Sequence, residues 1–128
     1  MNEGFDTADY EAVADALRKW QDRCKEIIKL LANKKTLSRY EHQEVALLYS
    51  SLKGELKEAA KRGNLSGRRE PMTRAESAFY NPAVRKAHIA MRPKTNSHPI
   101  QGRWLSAIFE TEGEFSYVLH QMGRATED

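Results

Sequence analysis

Residues 10–31, YEAVADALRKWQDRCKEIIKLL, carry the strongest structural pattern in the chain, because their apolar side chains recur in alternating steps of three and four. The members of this stripe are Tyr10, Val13, Leu17, Trp20, Cys24, Ile27 and Leu31. An α-helix places residues three and four apart on one face, so the spacing predicts an amphipathic helix with one apolar seam. Asp6 suits an N-cap, and Phe5 is placed to pack onto Tyr10. We expect this helix over about residues 7–33.

A second helix is predicted to begin after Ser38. Ser38 and Glu41 have the spacing of a capping box, in which each side chain accepts a hydrogen bond from the other residue's backbone N–H. An apolar stripe follows at Val45, Leu48, Leu52, Leu56 and Ala59. Gly63, preceded by two cations, is typical of a helix end. The pattern predicts a helix over about residues 39–62, and the short connection predicts an antiparallel hairpin with the first helix.

The remaining chain predicts two short helices and a C-terminal helix. Thr73 and Glu76 form another capping box, which should open a short helix. Pro82, preceded by Asn81, either starts a further short helix or kinks a continuous one. The flanking segments rich in Gly, Pro and polar residues are predicted loops, at residues 64–71 and 92–102.

The last predicted helix spans about residues 103–122, before a frayed tail at 123–128. Its apolar face consists of Leu105, Ile108, Phe115, Leu119 and Met122. Together the segments predict an all-α fold: a small helical bundle, built on the N-terminal hairpin in residues 1–63, with a basic region of loops and short helices in residues 64–102.

Length and composition favour a single domain over residues 1–128. The single cysteine, Cys24, cannot form an internal disulfide, which suits a reducing compartment. No apolar run approaches the roughly 20 residues needed to span a membrane. The first residues lack the basic-then-apolar pattern of a secretory signal. We therefore expect a cytoplasmic protein without membrane association.

Motifs for catalysis and metal binding are not evident in the sequence. The four histidines are His42, His88, His98 and His120, and no two have the i, i+4 spacing that a zinc site on one helix needs. Glu110 and Glu114 are neighbours on a helical face, but nothing near them completes a catalytic pair. No Gly-x-Ser-x-Gly turn or glycine-rich phosphate loop occurs. We expect a non-enzymatic protein with no cofactor and no metal.

Charge is distributed unevenly along the chain. Residues 1–61 contain 11 basic and 11 acidic side chains, residues 62–103 contain 9 and 2, and residues 104–128 contain 1 and 5. The middle segment therefore has a net charge of +7 and the C-terminal segment −4. One interpretation is that the basic middle pairs internally with the acidic last helix; the other is that it meets a phosphate-bearing partner.

Basic side chains in the middle segment are the candidate ligand contacts. Arg85, His88 and Arg92 are spaced i, i+3, i+7, which places them on one helical face, and the planar guanidinium group suits phosphate oxygens. The same spacing also fits an ordinary solvated face. The predicted phosphate contacts are Arg68, Arg69, Arg74, Arg85, Lys86, His88, Arg92, Lys94 and Arg103. Tyr80 and Trp104 are candidates for stacking on bases.

The sequence thus favours a binding protein for nucleic acid or a nucleotide-like, phosphate-bearing ligand. The alternative is a protein-interaction module, an inhibitor or adaptor that acts on a larger protein, such as one that handles nucleic acid, with Glu110 and Glu114 as contacts. A symmetric homodimer is a further expectation. The long seam that contains Trp20 offers more apolar surface than one partner helix with a mixed stripe is expected to cover.

Overall fold

The computed structural model describes residues 5–32, 36–65, 71–92 and 100–125, and every regular element within these ranges is helical. In chain order the elements are α1 (Thr7–Ala32), α2 (Arg39–Arg62), a π-helical turn (Glu76–Tyr80), α3 (Asn81–Ala90) and α4 (Ile100–Ala125). The predicted all-α bundle is confirmed. None of the helices in the described ranges is both long and apolar enough to cross a membrane.

The predicted helix caps are present. Asp6 Oδ1 accepts hydrogen bonds from the backbone N–H groups of Ala8 and Asp9, at 2.9 and 3.2 Å, and caps α1. Ser38 and Glu41 form the reciprocal bonds of a capping box, at 3.2 and 2.9 Å. At the other end of α2, Gly63 takes the left-handed conformation, with φ of 76°.

The apolar seam of α1 is buried mainly against α4, and α1 packs less extensively against α2. The Trp20 ring stacks on Phe115 with a centroid distance of 6.5 Å, and the Tyr10 hydroxyl donates to the Met122 carbonyl. The buried α1 residues are Val13, Ala14, Leu17, Cys24, Ile27 and Leu31. Helix α4 thus covers the seam from which the homodimer was predicted, and the homodimer itself stays a prediction.

The π-helical turn and α3 form one continuous helical segment rather than two separate helices. Tyr80 and Asn81 both have α-helical backbone angles, so Asn81 is not an extended cap. The Asn81 N–H donates instead to the Glu76 carbonyl, five residues earlier. A wider turn fits here because Pro82 has no N–H to donate and its ring would crowd the carbonyl four residues before it.

Polar side chains occupy core positions that an apolar pattern does not reveal. Tyr49 is buried on α2, and its hydroxyl donates to the Met91 carbonyl at 2.6 Å; burial raises the pKa of this phenol to about 12. On α4, Thr111 is fully buried and donates to the Ala107 carbonyl at 2.8 Å. Each hydroxyl donates a hydrogen bond to a nearby carbonyl, and this bond compensates for its burial.

Candidate anion-binding surface

Helix α3 has one buried face and one basic face. Ala83, Val84, Ala87 and Met91 pack into the core. On the other side Arg85, Lys86 and Arg92 are exposed, and His88 is half-buried at the edge. The apolar face holds the helix against α2 and α4, so the basic face is fixed in its orientation toward solvent.

Helix α2 separates its charges onto two flanks. Glu55 and Glu58 line the groove beside α1, where Arg23 donates to both carboxylate oxygens of Glu55 at 2.8 Å. Lys53 and Lys57, spaced i, i+4, lie on the other flank, toward α3. Helical periodicity therefore gives α2 an acidic flank facing α1 and a basic flank facing α3.

The two basic faces meet around His88. The pKa of this imidazole is lowered from 6.5, first by burial and then by the positive charges of Arg92, Lys53 and Lys57. We call the group formed across α2 and α3 the basic cluster; it consists of Lys53, Lys57, Arg85, His88 and Arg92. Within the described part of the chain its lysines and arginines form no ion pair. Lys53 and Lys57 are not among the contacts predicted from the sequence, because residues 1–61 have no net charge.

A shallow apolar cleft lies beside the basic cluster. It has a volume of about 290 Å³ and is lined by Asn81, Pro82, Arg85, Lys86 and Ile89. The Ile89 side chain is 59% exposed although it sits among cations. A ligand bound to the cations would therefore also meet an apolar contact, which suits a sugar ring as well as an apolar side chain.

The other predicted phosphate contacts fall in different places. Arg74 is exposed at the start of the π-helical segment. Arg103 is half-buried on α4, on the flank that helical spacing also gives to Glu110 and Glu114. Three predicted contacts lie outside the described residues: Arg68, Arg69 and Lys94.

One carboxylate binds the backbone of two described residues near the start of the π-helical segment. Glu76 accepts hydrogen bonds from the backbone N–H groups of Leu65, at 2.6 Å, and Thr73, at 2.8 Å. The Glu76 N–H donates to the Thr73 hydroxyl at 3.1 Å, which completes the predicted capping box. The end of the stretch that follows α2 is therefore held close to the start of the helical stretch that leads into α3.

Neither predicted stacking residue presents a free ring. Tyr80 is only 4% exposed and belongs to the hydrophobic core, so its ring is not accessible to a base. The expectation that it stacks on bases is therefore wrong. Trp104 is half-buried against α2, with ring centroids 5.1 Å from His42 and 5.8 Å from Tyr49. This indole serves the contact between α4 and α2.

Among the described residues, no ion pair neutralises the arginines on α3 and just after it. Arg85 and Arg92 form no ion pair with any described residue. Exposed arginines without such a pair keep their hydrogen-bond donors available. The arrangement is therefore suited chemically to binding an anion with several spaced negative charges.

A second concave region lies between α1 and α2. Two adjoining clefts, of about 430 and 310 Å³, share Trp20 and Glu55 in their linings. The Arg23 guanidinium group lies 5.5 Å from the Trp20 ring centroid while it binds Glu55. The side chains that line these clefts include three cations, Lys19, Arg23 and Arg62, and two carboxylates, Glu55 and Glu58, so the net charge of the groove is +1. The lysines and arginines of the basic cluster, in contrast, carry four positive charges.

Cys24 and Glu112 are the chemically notable groups inside the bundle. Burial, and secondarily the charge of Glu112, raise the pKa of the Cys24 thiol to about 12, so the thiol stays protonated and is a poor nucleophile at neutral pH. Glu112 Oε2 is buried without a hydrogen-bond partner among the described residues. In the same ranges no three His, Cys, Asp or Glu side chains converge to hold a metal ion.

No protein-family model, curated protein or solved structure matches this chain. What defines it is its own geometry, that of a small all-α protein with a basic cluster shared by two packed helices.

Proposed function

We propose that this protein is a non-enzymatic binding protein for nucleic acid or a related phosphate-bearing ligand, which it engages through the α2–α3 face. The observation that supports the proposal is the basic cluster itself, whose cations have no carboxylate partners in the described residues. Lys86, Arg74 and the basic side chains of the neighbouring loops would extend the surface. Cys24 is a free thiol, which is consistent with action in the reducing cytoplasm.

Electrostatics would dominate such binding. Each phosphate neutralised by a lysine or arginine releases condensed counterions, so affinity falls with salt in proportion to the number of contacts. The cluster offers four permanent cations, Lys53, Lys57, Arg85 and Arg92, which predicts a slope of log affinity against log salt of about −3 to −4. No element of the described chain is placed to read base edges, so we propose binding without marked sequence preference.

The test is fluorescence anisotropy with labelled single-stranded and duplex oligonucleotides at several salt concentrations. The Arg85→Glu/Arg92→Glu double variant should lower affinity at low salt about 100-fold, because two contacts are lost and two repulsions are added. Both side chains are exposed, so the helical circular dichroism spectrum should not change. The matched control is Lys25→Glu/Lys29→Glu, which changes the net charge equally at exposed positions on α1.

Equal losses in the two double variants would show that only net charge matters and would remove the site from α3. Absence of binding at low salt to both oligonucleotide forms would reject nucleic acid as the ligand. In that case the protein-interaction alternative would become the leading hypothesis.

The protein-interaction module remains a second candidate because α4 exposes two aromatic rings. Phe109 is 52% exposed and Tyr117 is 56% exposed, two turns apart on the outer part of α4. Exposed aromatics are enriched at protein interfaces, and Glu110 and Glu114 lie on the same helix. A pull-down should recover a partner with the wild type and lose it with Phe109→Ser/Tyr117→Ser, while Arg85→Glu/Arg92→Glu retains it.

A further inference from the structure

We propose that the basic cluster binds its phosphate ligand together with a proton, and that His88 is the group that takes up this proton. The inference rests on the proposed function, since it concerns the regulation of the same site. Uptake of this proton would make the affinity for the phosphate ligand depend on pH, in the range where few other side chains titrate.

Among the described residues, the charges that act on His88 are positive. Arg92 follows the C-terminal end of α3, one turn after His88. The hydrogen bond from the Tyr49 hydroxyl to the Met91 carbonyl sets α2 beside this end, and Lys53 and Lys57 follow Tyr49 by one and two turns. No carboxylate of the described residues, on α4 or elsewhere, contributes to the electrostatics of the imidazole. Half-buried among three permanent cations, the ring is placed where a fourth positive charge is unfavourable in the free protein.

A bound polyanion reverses that environment. Phosphate charges beside Lys53, Lys57 and Arg92 would offset the repulsion that keeps the imidazole neutral, and a protonated imidazole gains a second N–H donor for a phosphate oxygen. Ligand binding therefore favours protonation of His88. By thermodynamic linkage, protonation must strengthen ligand binding by the same factor.

The linkage has a defined limit. One group can take up no more than one proton, so affinity can rise at most about tenfold for each unit of falling pH. The rise belongs to the interval between the pKa of His88 in the complex and its lowered pKa in the free protein. At pH above that interval the ring is neutral in both states, and binding depends only on the permanent cations.

The experiment uses a single-stranded oligonucleotide, because its phosphodiesters do not titrate between pH 5.5 and 8. The label is rhodamine and not fluorescein. Affinity is measured across this range at constant ionic strength for the wild type, His88→Gln and His120→Gln. His120, exposed on α4, is the matched control. We expect wild-type and His120→Gln affinity to rise about tenfold from pH 7.5 to 5.5, and His88→Gln affinity to change less than about twofold.

Nuclear magnetic resonance titration of the imidazole carbon-bound protons provides the second readout. The pKa of His88 should lie below the ordinary 6.5 in the free protein and rise when the oligonucleotide is added. A purely structural role for His88 would leave this pKa unmoved by the ligand.

The possible failures are distinguishable. If the oligonucleotide binds in a salt-dependent manner but His88→Gln retains the full pH dependence, or the pKa of His88 does not rise, the proton linkage is wrong and the proposed function stands. If no variant binds at any pH, the proposed function itself fails and the linkage fails with it.

Discussion

The two flanks of α2 both carry charged side chains, but these side chains differ in what they contact. Toward α1, Glu55 is held by the Arg23 guanidinium through two hydrogen bonds of 2.8 Å, and this guanidinium also lies over the Trp20 ring. Toward α3, the charges of Lys53 and Lys57 act on His88 together with that of Arg92, and neither lysine forms an ion pair with a described carboxylate. The first flank satisfies its charges within the fold, and the second leaves them available to a ligand.

This difference shows that net charge should be counted over a folded surface and not over a segment of the sequence. Residues 1–61 have no net charge, yet helical periodicity places the acidic and the basic side chains of α2 on different sides of this helix. The basic cluster combines two lysines of this neutral segment with side chains of the basic one. Like charges brought together in this way cost stability, which is common at binding sites.

Breaking the core that holds both flanks should have the largest effect. Leu17 is fully buried in the α1 seam, so Leu17→Asp would place an unpaired charge among apolar side chains. We expect a loss of at least about 4 kcal/mol, enough to unfold a domain of ordinary stability. Circular dichroism and thermal melting provide the measurement, with Lys19→Asp on the exposed face as control. Wild-type helicity and melting temperature in Leu17→Asp would mean that the seam is misplaced.

The two flanks should respond to neutralisation with opposite signs. Arg23→Gln should destabilise the protein by about 1 kcal/mol, because it removes a bidentate ion pair and a cation–π contact that are both partly exposed. Lys57→Gln should be neutral or slightly stabilising, within about 0.5 kcal/mol, because it relieves repulsion. Urea denaturation at low and high salt measures both. Destabilisation by Lys57→Gln equal to that by Arg23→Gln would show that the flanks do not differ.

The paired flank should also lose its contribution in acid. Hydrogen bonds from Arg23 lower the pKa of the Glu55 carboxyl from its ordinary 4.5. A carboxyl with a lowered folded pKa stabilises the protein above the unfolded value, and this stabilisation is lost as pH falls through the folded pKa. The wild type should therefore be more stable than Glu55→Gln at pH 7 and equal to it well below pH 4.5. A pH-independent difference would assign the effect of Glu55→Gln to packing.

Local sequence signals predicted the frame of the fold. The seam of α1, the caps at Asp6 and Ser38 and the end of α2 at Gly63 each depend on residues within one or two helical turns. The same is true of the basic face of α3. These features follow from helix geometry alone and needed no knowledge of which helices pack together.

Features that depend on packing were not predictable in the same way. The burial of Tyr80 depends on the packing of the π-helical turn against α1, which is distant in the sequence, and the covering of the α1 seam depends on α4. On α4 the aromatic Phe109 is 52% exposed, whereas the polar Thr111 is buried and its hydroxyl bonds within the helix. That the lysines of α2 belong to the basic cluster is evident only from the contact between α2 and α3.

Arg23 also shows why the residues for control variants must be chosen from the structure. From the sequence it is one more cation in a neutral segment, but its contacts with Glu55 and Trp20 make it part of the fold. Lys25 and Lys29 are the better reference, since both are exposed and have the same i, i+4 spacing as Lys53 and Lys57.

The decisive comparison is the salt dependence of oligonucleotide binding by Lys53→Gln/Lys57→Gln and Lys25→Gln/Lys29→Gln. Both double variants remove two positive charges from exposed or half-buried positions of a long helix. If the α2–α3 face binds phosphate, the first should reduce the magnitude of the slope of log affinity against log salt by about 1.5 to 2. The second should leave the wild-type slope unchanged. Equal slopes for the two variants would contradict the assignment of the ligand to the basic cluster.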